Sequence, residues 1–458
     1  MAKISQVTLG LILAGGKGER LMPLTTDRAK PAVPIGGYYR IIDFTLNNCI
    51  NSHINKVFLL TQFKSQSLDR HIHSGWNMFG DRTYGFIETL PPQQRISEDW
   101  YRGTADAVWQ NVYSIKREKL PYTLILSGDH IYKMDYSEMF RIHNANNADL
   151  TVATIEEPVS TANQFGIIEV NQENRIIGFE EKPQNPKCIP GDPEHSLVSM
   201  GIYLFKTDVL LEVLNWEFGG KKQLVNKKTL FEKMKEDPDA YLNYTTGDFG
   251  YDIISNMVRI NNRSVQSGTG MRYNVFSQNF KDENMKKAKY WRDVGTLKSY
   301  WDANMDLKNP EPDLNLYKRH NFYEDVEGWP LRCYKNLYLP PAKFVFSPVV
   351  MNSLICDGAI LSNCIVRDSI ISSCVNIHSN SEIVDSILFE NVRVGRHCRL
   401  QKVIIDKGAI IGDNQTIGFN RDQDLARGFT VSDGITVVPR GTRIGELYSG
   451  YNVQSIKF

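Results

Sequence analysis

Isoleucine falls at positions 365, 371, 377 and 383 and again at 405, 411 and 417, with Val394 and Leu400 six apart between the two runs. The intervening positions are rich in Gly, Asn, Asp and Ser, the residues of turns. A helix repeats every 3.6 residues and a half-buried strand every 2, so neither generates this spacing. A left-handed parallel β-helix does, because each side of its triangular coil is about six residues long and turns one aliphatic side chain inward. Residues 346–458 are therefore expected to form such a coil.

The other three hundred residues read differently. At 458 residues the chain exceeds what one hydrophobic core serves, so a second domain is expected. Runs rich in β-branched and apolar residues at Val57–Thr61, Thr123–Ser127, Asp149–Ile155 and Gly201–Phe205 alternate with helical stretches. That alternation predicts a Rossmann-like α/β domain with a mixed, mostly parallel sheet over residues 1–305. Between the two, residues 306–345 carry Pro310, Pro312, Pro330, Pro340 and Pro341 among polar and aromatic residues, as a linker or strap would.

Composition excludes several function classes. Lys plus Arg (53) nearly balance Asp plus Glu (52), so the chain has no basic excess for nucleic acid. No apolar run approaches the ~20 residues of a membrane span. The first strand begins within about six residues of the N-terminus, which leaves no room for a leader and predicts a cytoplasmic protein. The seven cysteines (Cys49, Cys188, Cys333, Cys356, Cys364, Cys374 and Cys398) form an odd, scattered set without a C-x-x-C pair, and read as buried free thiols. Cys364 and Cys374 are expected inside the C-terminal domain.

Chemistry concentrates near the N-terminus. An apolar strand, Val7–Leu13, runs into Gly15, Gly16 and Gly18, and then into Lys17, Arg20, Arg28 and Lys30. Glycines let backbone N–H groups approach phosphate oxygens, and the four cations neutralise a polyphosphate. The spacing is neither G-x-x-x-x-G-K-S/T nor G-x-G-x-x-G. A tight turn flanked by solvated basic residues would share the glycines but not the density of charge. Further on, Ser127-Gly128-Asp129-His130 closes another apolar strand and sets a carboxylate at the sheet edge, where a lone Asp could equally cap a turn.

These segments carry a resemblance. Leu11–Leu21 with Arg28–Val33 is similar to the signature of sugar-1-phosphate nucleotidyltransferases. Arg40–Asp43, Phe44–Ser52 and Trp100–Ala107 narrow it to the glucose-1-phosphate adenylyltransferase family, and matching motifs run from residue 9 to the C-terminus. The resemblance implies a GT-A type catalytic domain that transfers the adenylyl group of ATP to glucose 1-phosphate. It implies Mg²⁺ held by Asp129 and by Asp293 of Tyr290–Thr296, since two carboxylates plus substrate phosphates suit that ion. Arg20 and Lys30 would stabilise the departing pyrophosphate and Lys182 would hold the nucleophile. Gly15 and Gly16 would seat the nucleotide and Gln94 the adenine, while Tyr101, Gly166, Glu181, Lys182 and Ser199 would line the sugar side. The attacking phosphate is already ionised, so alignment and charge neutralisation suffice.

The same resemblance gives the coil assembly and regulation, with a homotetramer and phosphometabolite effectors bound between the domains through Arg28, Arg40 and Arg396, or Arg399. Asp27 and Pro34 stand where enterobacterial members carry Lys and His, which argues against fructose bisphosphate as activator. Competing readings are a uridylyl-, thymidylyl- or guanylyltransferase on the same fold, and a regulatory subunit. The first is disfavoured by Trp100–Ala107; the second by the presence of Arg20, Lys30, Asp129, Lys182 and Asp293. Hexad coils also serve acyltransferases, whose catalytic histidine has only His378 and His397 as counterparts here; both read as surface residues.

Overall fold

The computed structural model describes residues 4–77, 79, 85–96, 99–220, 222–268, 270–282, 287–316 and 339–446. Cys333, Pro330 and most of the expected strap lie outside them. No described helix is long and apolar enough to cross a membrane.

The first domain is built on a nine-stranded mixed sheet. Thr8–Leu13 lies parallel between Lys56–Leu60 and Tyr122–Ser127, and Phe86–Leu90 extends the parallel half. These strands are near-continuous apolar runs because helices cover both faces. Across Tyr122–Ser127 the direction reverses: His195–Lys206 pairs antiparallel with it, with Leu150–Pro158 and with Gly166–Val170, which in turn pairs antiparallel with Ile176–Glu181. A short ladder outside the sheet joins His130–Tyr132 to Trp291–Asp293, opposing His130 to Asp293.

One buried carboxylate organises the helix Ile41–Asn51. Asp43, in its first turn, accepts from the Arg40 amide (2.8 Å) and Trp76 Nε1 (2.8 Å) and meets His71 Nε2, so its fully buried charge is satisfied.

The second domain is a left-handed β-helix of three sheets of parallel strands, one of them edged by the antiparallel strand Thr430–Ser432, with described coils from Lys343 to Ile444. Buried side chains at Ile371, Ile377, Ile383, Leu388, Val394, Leu400, Ile405, Ile411 and Ile417 fill its interior. The sequence reading errs at one position. Ile365 is 38% exposed, and its neighbour Val366 points inward. The reason is the coil length: Ser369 Oγ accepts from the Ser386 amide and Ser386 Oγ from the Val403 amide, each pair 17 residues apart. One side of each triangle is thus a residue short of a hexad, and a strict period of six slips by one at each such corner. Cys49, Cys356, Cys364 and Cys398 are buried free thiols, as expected, whereas Cys374 is only partly buried and Cys188, in the loop after Ile176–Glu181, is exposed.

The two domains share a hydrophobic cluster, in which Val33, Ile35, Phe44 and Tyr300 meet Ile370, Ile387, Phe389 and Ile404 of the coil. The hairpin Pro34–Ile35/Tyr39–Arg40 turns through Gly36 and Gly37 at φ 58° and 80°. A Cβ on Gly37 would fall 2.4 Å from Cys356 Sγ, so glycine is required both by the turn and by its contact with the coil.

The corrected register yields a paired test. Ile371→Asp, which buries an unpaired carboxylate, should cost at least about 4 kcal/mol and abolish the cooperative melt of the coil. Ile365→Asp, one nominal hexad earlier, should shift the melting temperature by no more than about 2 °C.

Candidate functional site

The strand Thr8–Leu13 ends at the sheet's carboxyl edge, and the following loop forms one wall of a cavity of about 650 Å³. Gly15, Gly16, Arg20 and Lys30 line it from one side and Tyr101 to Thr104 from the other. Gly18, at φ 64°, lets the loop double back, and its carbonyl accepts from Thr25 Oγ1 at 2.8 Å. Opposite, Gln62 fixes the backbone of Tyr101 by accepting from its N–H (2.5 Å) and donating to its C=O (3.2 Å). Sequence reasoning missed Gln62. Its signal is its position, two residues past a parallel strand adjacent to the glycine-loop strand, where α/β sheets place ligand contacts.

Asp129 and Asp293 meet. Asp129 follows Tyr122–Ser127, and the ladder of His130–Tyr132 with Trp291–Asp293 brings Asp293 beside it. Lys30 Nζ lies between them, 2.8 Å from Asp129 Oδ2 and 3.1 Å from Asp293 Oδ1. Burial alone would lower the Lys30 pKa, but the two carboxylates outweigh it and hold the ammonium above its ordinary value. Burial would likewise raise Asp129; the charges of Lys30 and His130 and bonds from Lys30 and Ser127 keep it well below the usual carboxylate range. His130 was also missed: its Nε2 is 3.5 Å from Asp129 Oδ1 and 3.9 Å from Asp293 Oδ1, and its buried Nδ1 has no hydrogen-bond partner among the described residues. One atom from each of Asp129, His130 and Asp293 fits within 4.8 Å, a donor set of two hard oxygens and one imidazole. Arg20 approaches over Gly295, where a Cβ would lie 3.0 Å from both Arg20 Nη2 and Asp293 Oδ2.

The residues expected on the sugar side gather on the antiparallel strands. Glu181 is paired with Gly166, and Lys182, at φ 51°, sets its Nζ 3.7 Å from Glu181 Oε1 with the side chain half exposed. The register of His195–Lys206 shifts between Ser199 and Tyr203, and Ser199 Oγ accepts from the Gly201 amide at 3.3 Å. That bulge carries Gly201 against Ser127 and His130, linking the antiparallel strands to Asp129.

Other expected residues sit elsewhere. Tyr101 lines the glycine-loop cavity rather than the antiparallel strands, its hydroxyl donating to the Leu90 carbonyl at 3.3 Å and accepting from Asn111 Nδ2 at 2.8 Å. Gln94 is exposed at φ 53° just after the strand Phe86–Leu90, and the described lining of the cavity does not include it. Arg28 is buried against the coil, its Nη2 2.7 and 2.9 Å from the two Asp406 oxygens. Arg40 Nη1 donates to the Ser67 carbonyl (2.8 Å), and its charge faces Lys407 together with Arg28 and Arg440. Arg396 occupies a different corner of the coil, beside Asp413 and His378. His397 is exposed and His378 partly buried.

The Arg28–Asp406 pair gives a stability test. Its charges are removed from water, and Arg28 Nη1 has no partner of its own among the described residues. Asp406→Ala should therefore destabilise the protein by about 3–5 kcal/mol, while Arg28→Met with Asp406→Leu should recover most of that loss in urea unfolding.

A family model described as nucleotidyl transferase matches residues 9–310, and one described as GlmU-like, C-terminal hexapeptide matches residues 340–438. Among curated proteins, the chain is 45% identical over 450 residues to a glucose-1-phosphate adenylyltransferase of Rhodopirellula baltica, covering 95% of this chain and 91% of that one. A protein of the same name from Koribacter versatilis is 46% identical over 440 residues, covering 94% and 95%. Another, from Shewanella baltica, is 43% identical over 446 residues, covering 96% of each.

Proposed function

The chain belongs to the glucose-1-phosphate adenylyltransferase family of nucleotidyl transferases, and on that premise we propose that it converts ATP and glucose 1-phosphate into ADP-glucose and pyrophosphate at the cavity edged by Asp129 and Asp293. The observation that carries the reading is the convergence of these two carboxylates on Lys30, beside the glycine loop.

The residues divide the work. A sugar-phosphate oxygen attacks the α-phosphorus of ATP in line, and the bond to the pyrophosphate oxygen breaks. The nucleophile is already an anion, so no side chain has to remove a proton. Gly15 and Gly16 admit the triphosphate against the backbone, and Arg20 and Lys30 neutralise the charge that accumulates on the leaving group. Glu181 accepts from sugar hydroxyls, and Lys182 aligns the attacking phosphate. Asp129 and Asp293 would hold Mg²⁺, with His130 beside them; when bound, that ion neutralises both phosphates.

The finer assignments follow the family. The coil serves assembly into a homotetramer, and the protein works in the cytoplasm. Anionic phosphometabolites fit Arg40, Lys407 and Arg440 better than Arg396. Burial, followed by the charges of Arg40 and Arg28, pulls the Lys407 pKa down to about 7 against the opposing charge of Asp406, and its Nζ is held 2.6 Å from Glu390 Oε2, so a bound anion would share this cluster with that carboxylate.

Pyrophosphate release with glucose 1-phosphate and each of ATP, UTP, dTTP and GTP tests the reaction; ATP should give the highest kcat/KM. Asp129→Asn should lower kcat by at least about 10³-fold with unchanged folding, and activity within tenfold of the parent would remove Asp129 from the site. Lys182→Ala should raise the KM for glucose 1-phosphate far more than that for ATP.

A further inference from the structure

The six residues Phe249–Ile254 form a π-helical turn, closed by the Ser255 amide donating to the Gly250 carbonyl. Such turns are rare and gather at functional sites. This one touches both halves of the substrate region. On one side, the Gly247 carbonyl accepts from the amides of Ala105 (2.8 Å) and Asp106 (3.2 Å), and the Phe249 amide donates to Thr104 Oγ1 (3.0 Å). Thr104 and Gly103 line the glycine-loop cavity, and a Cβ on Gly103 would fall 2.1 Å from the Gly247 oxygen. That wall and the turn are therefore in direct backbone contact.

On the other side the turn packs against Glu181. A Cβ on Gly250 would lie 2.5 Å from Glu181 Oε2, and one on Gly166 would lie 2.8 Å from the same oxygen. The carboxylate is clamped between two glycines on different elements. Asp248 fixes the turn: its Oδ1 accepts from the amides of Gly250 (2.9 Å) and Tyr251 (3.3 Å), and its Oδ2 accepts from Lys227 Nζ (3.1 Å). Lys227 in turn lies over the Tyr251 ring, 4.4 Å from its centroid. Glu181 is held above its ordinary pKa by burial and then by the charge of Asp248, with Lys182 and Lys227 opposing. Its position depends on the placement of this turn.

We propose that the segment Gly247–Tyr251 couples the two substrate sites, so that nucleotide packed against Gly103 and Thr104 holds the turn in place and thereby positions the Glu181 carboxylate for the sugar, with Asp248 and Gly250 as positioning residues. The inference rests on the sugar-phosphate reading of Glu181 and Lys182. Coupling of this kind is reciprocal, so each substrate tightens the other.

Calorimetric binding of glucose 1-phosphate, with and without the non-reacting analogue α,β-methylene-ATP and Mg²⁺, measures it directly. The analogue should raise affinity for the sugar phosphate at least about fivefold. Thr104→Val, which keeps the side-chain volume but removes the acceptor for Phe249, should bring that factor below about twofold. Gly250→Ala should raise the KM for glucose 1-phosphate about tenfold with the ATP KM unchanged, and adding Glu181→Asp, which withdraws the carboxylate by one methylene, should recover part of the loss. Asp248→Asn, which keeps the cap but releases Lys227, should move the same KM in the same direction should Gly250→Ala not fold. An affinity for glucose 1-phosphate indifferent to the analogue overturns the proposal, as does a Gly250→Ala or Asp248→Asn variant that raises both KM values alike or neither. If Lys182→Ala also leaves the glucose 1-phosphate KM unchanged, the sugar reading itself has failed; if Lys182→Ala raises it, only the coupling has.

Discussion

The arrangement turns on a single ammonium held between two carboxylates. Lys30 meets Asp129, 99 residues away, and Asp293, 263 residues away. Two carboxylates this close repel one another unless a cation stands between them. The fold satisfies that requirement with a lysine that is itself buried, and so costly to leave unpaired. Each of the three residues needs the other two. The glycine loop, the end of Tyr122–Ser127 and the ladder carrying Asp293 are thereby drawn to one point, the point at which the proposed reaction would place a divalent cation and a polyphosphate.

The segment from Arg28 to Asp43 extends that constraint to the second domain. Within sixteen residues it places Arg28 on Asp406 of the coil, Lys30 on the two carboxylates, Gly37 against Cys356, and Asp43 under the Arg40 amide. Arg28 and Lys30 are two positions apart, so a displacement of the coil relative to the sheet cannot move one without loading the other. A buried ion pair is a poor source of net stability, but it penalises every arrangement in which it is broken. Its contribution here is to hold the domains in one register, where sliding of the apolar surfaces of Ile370, Ile387 and Ile404 would otherwise be inexpensive.

Much of this could be read from residue order, and the misses have physical causes. The hexads identified the coil, since only stacked triangular turns give that period, yet Ile365 was assigned inward because a coil of 17 residues cannot keep strict time with six. The sheet strands and the glycine loop were visible because buried parallel strands are long apolar runs ending in turns. The meeting of Asp129 with Asp293 was supplied by resemblance alone, as a three-residue ladder between distant segments leaves no periodic trace. Gln94 stays an expectation of the resemblance alone, since a matching motif fixes neighbours in sequence and the cavity lining does not include it. Gln62 and the turn at Phe249 carry no motif, and His130, although it stands beside Asp129 in Ser127-Gly128-Asp129-His130, shows its part only through what it touches.

The position of Asp129 follows from the direction of the sheet. Tyr122–Ser127 is parallel to Thr8–Leu13 on one side and antiparallel to His195–Lys206 on the other. In the parallel half, every strand ends at the same edge, so its loops form a phosphate-sized concavity of backbone N–H groups and cations. In the antiparallel half, His195–Lys206 and its neighbours leave by opposite edges, and contacts come instead from side chains such as Glu181 and Ser199, brought to the rim by a bulge and by glycines that give them room. The strand at the seam alone delivers a residue to both halves at once. On the proposed reaction, a carboxylate at its end would face the nucleotide on one side and the sugar phosphate on the other, which is where a group that must draw two anions together has to stand.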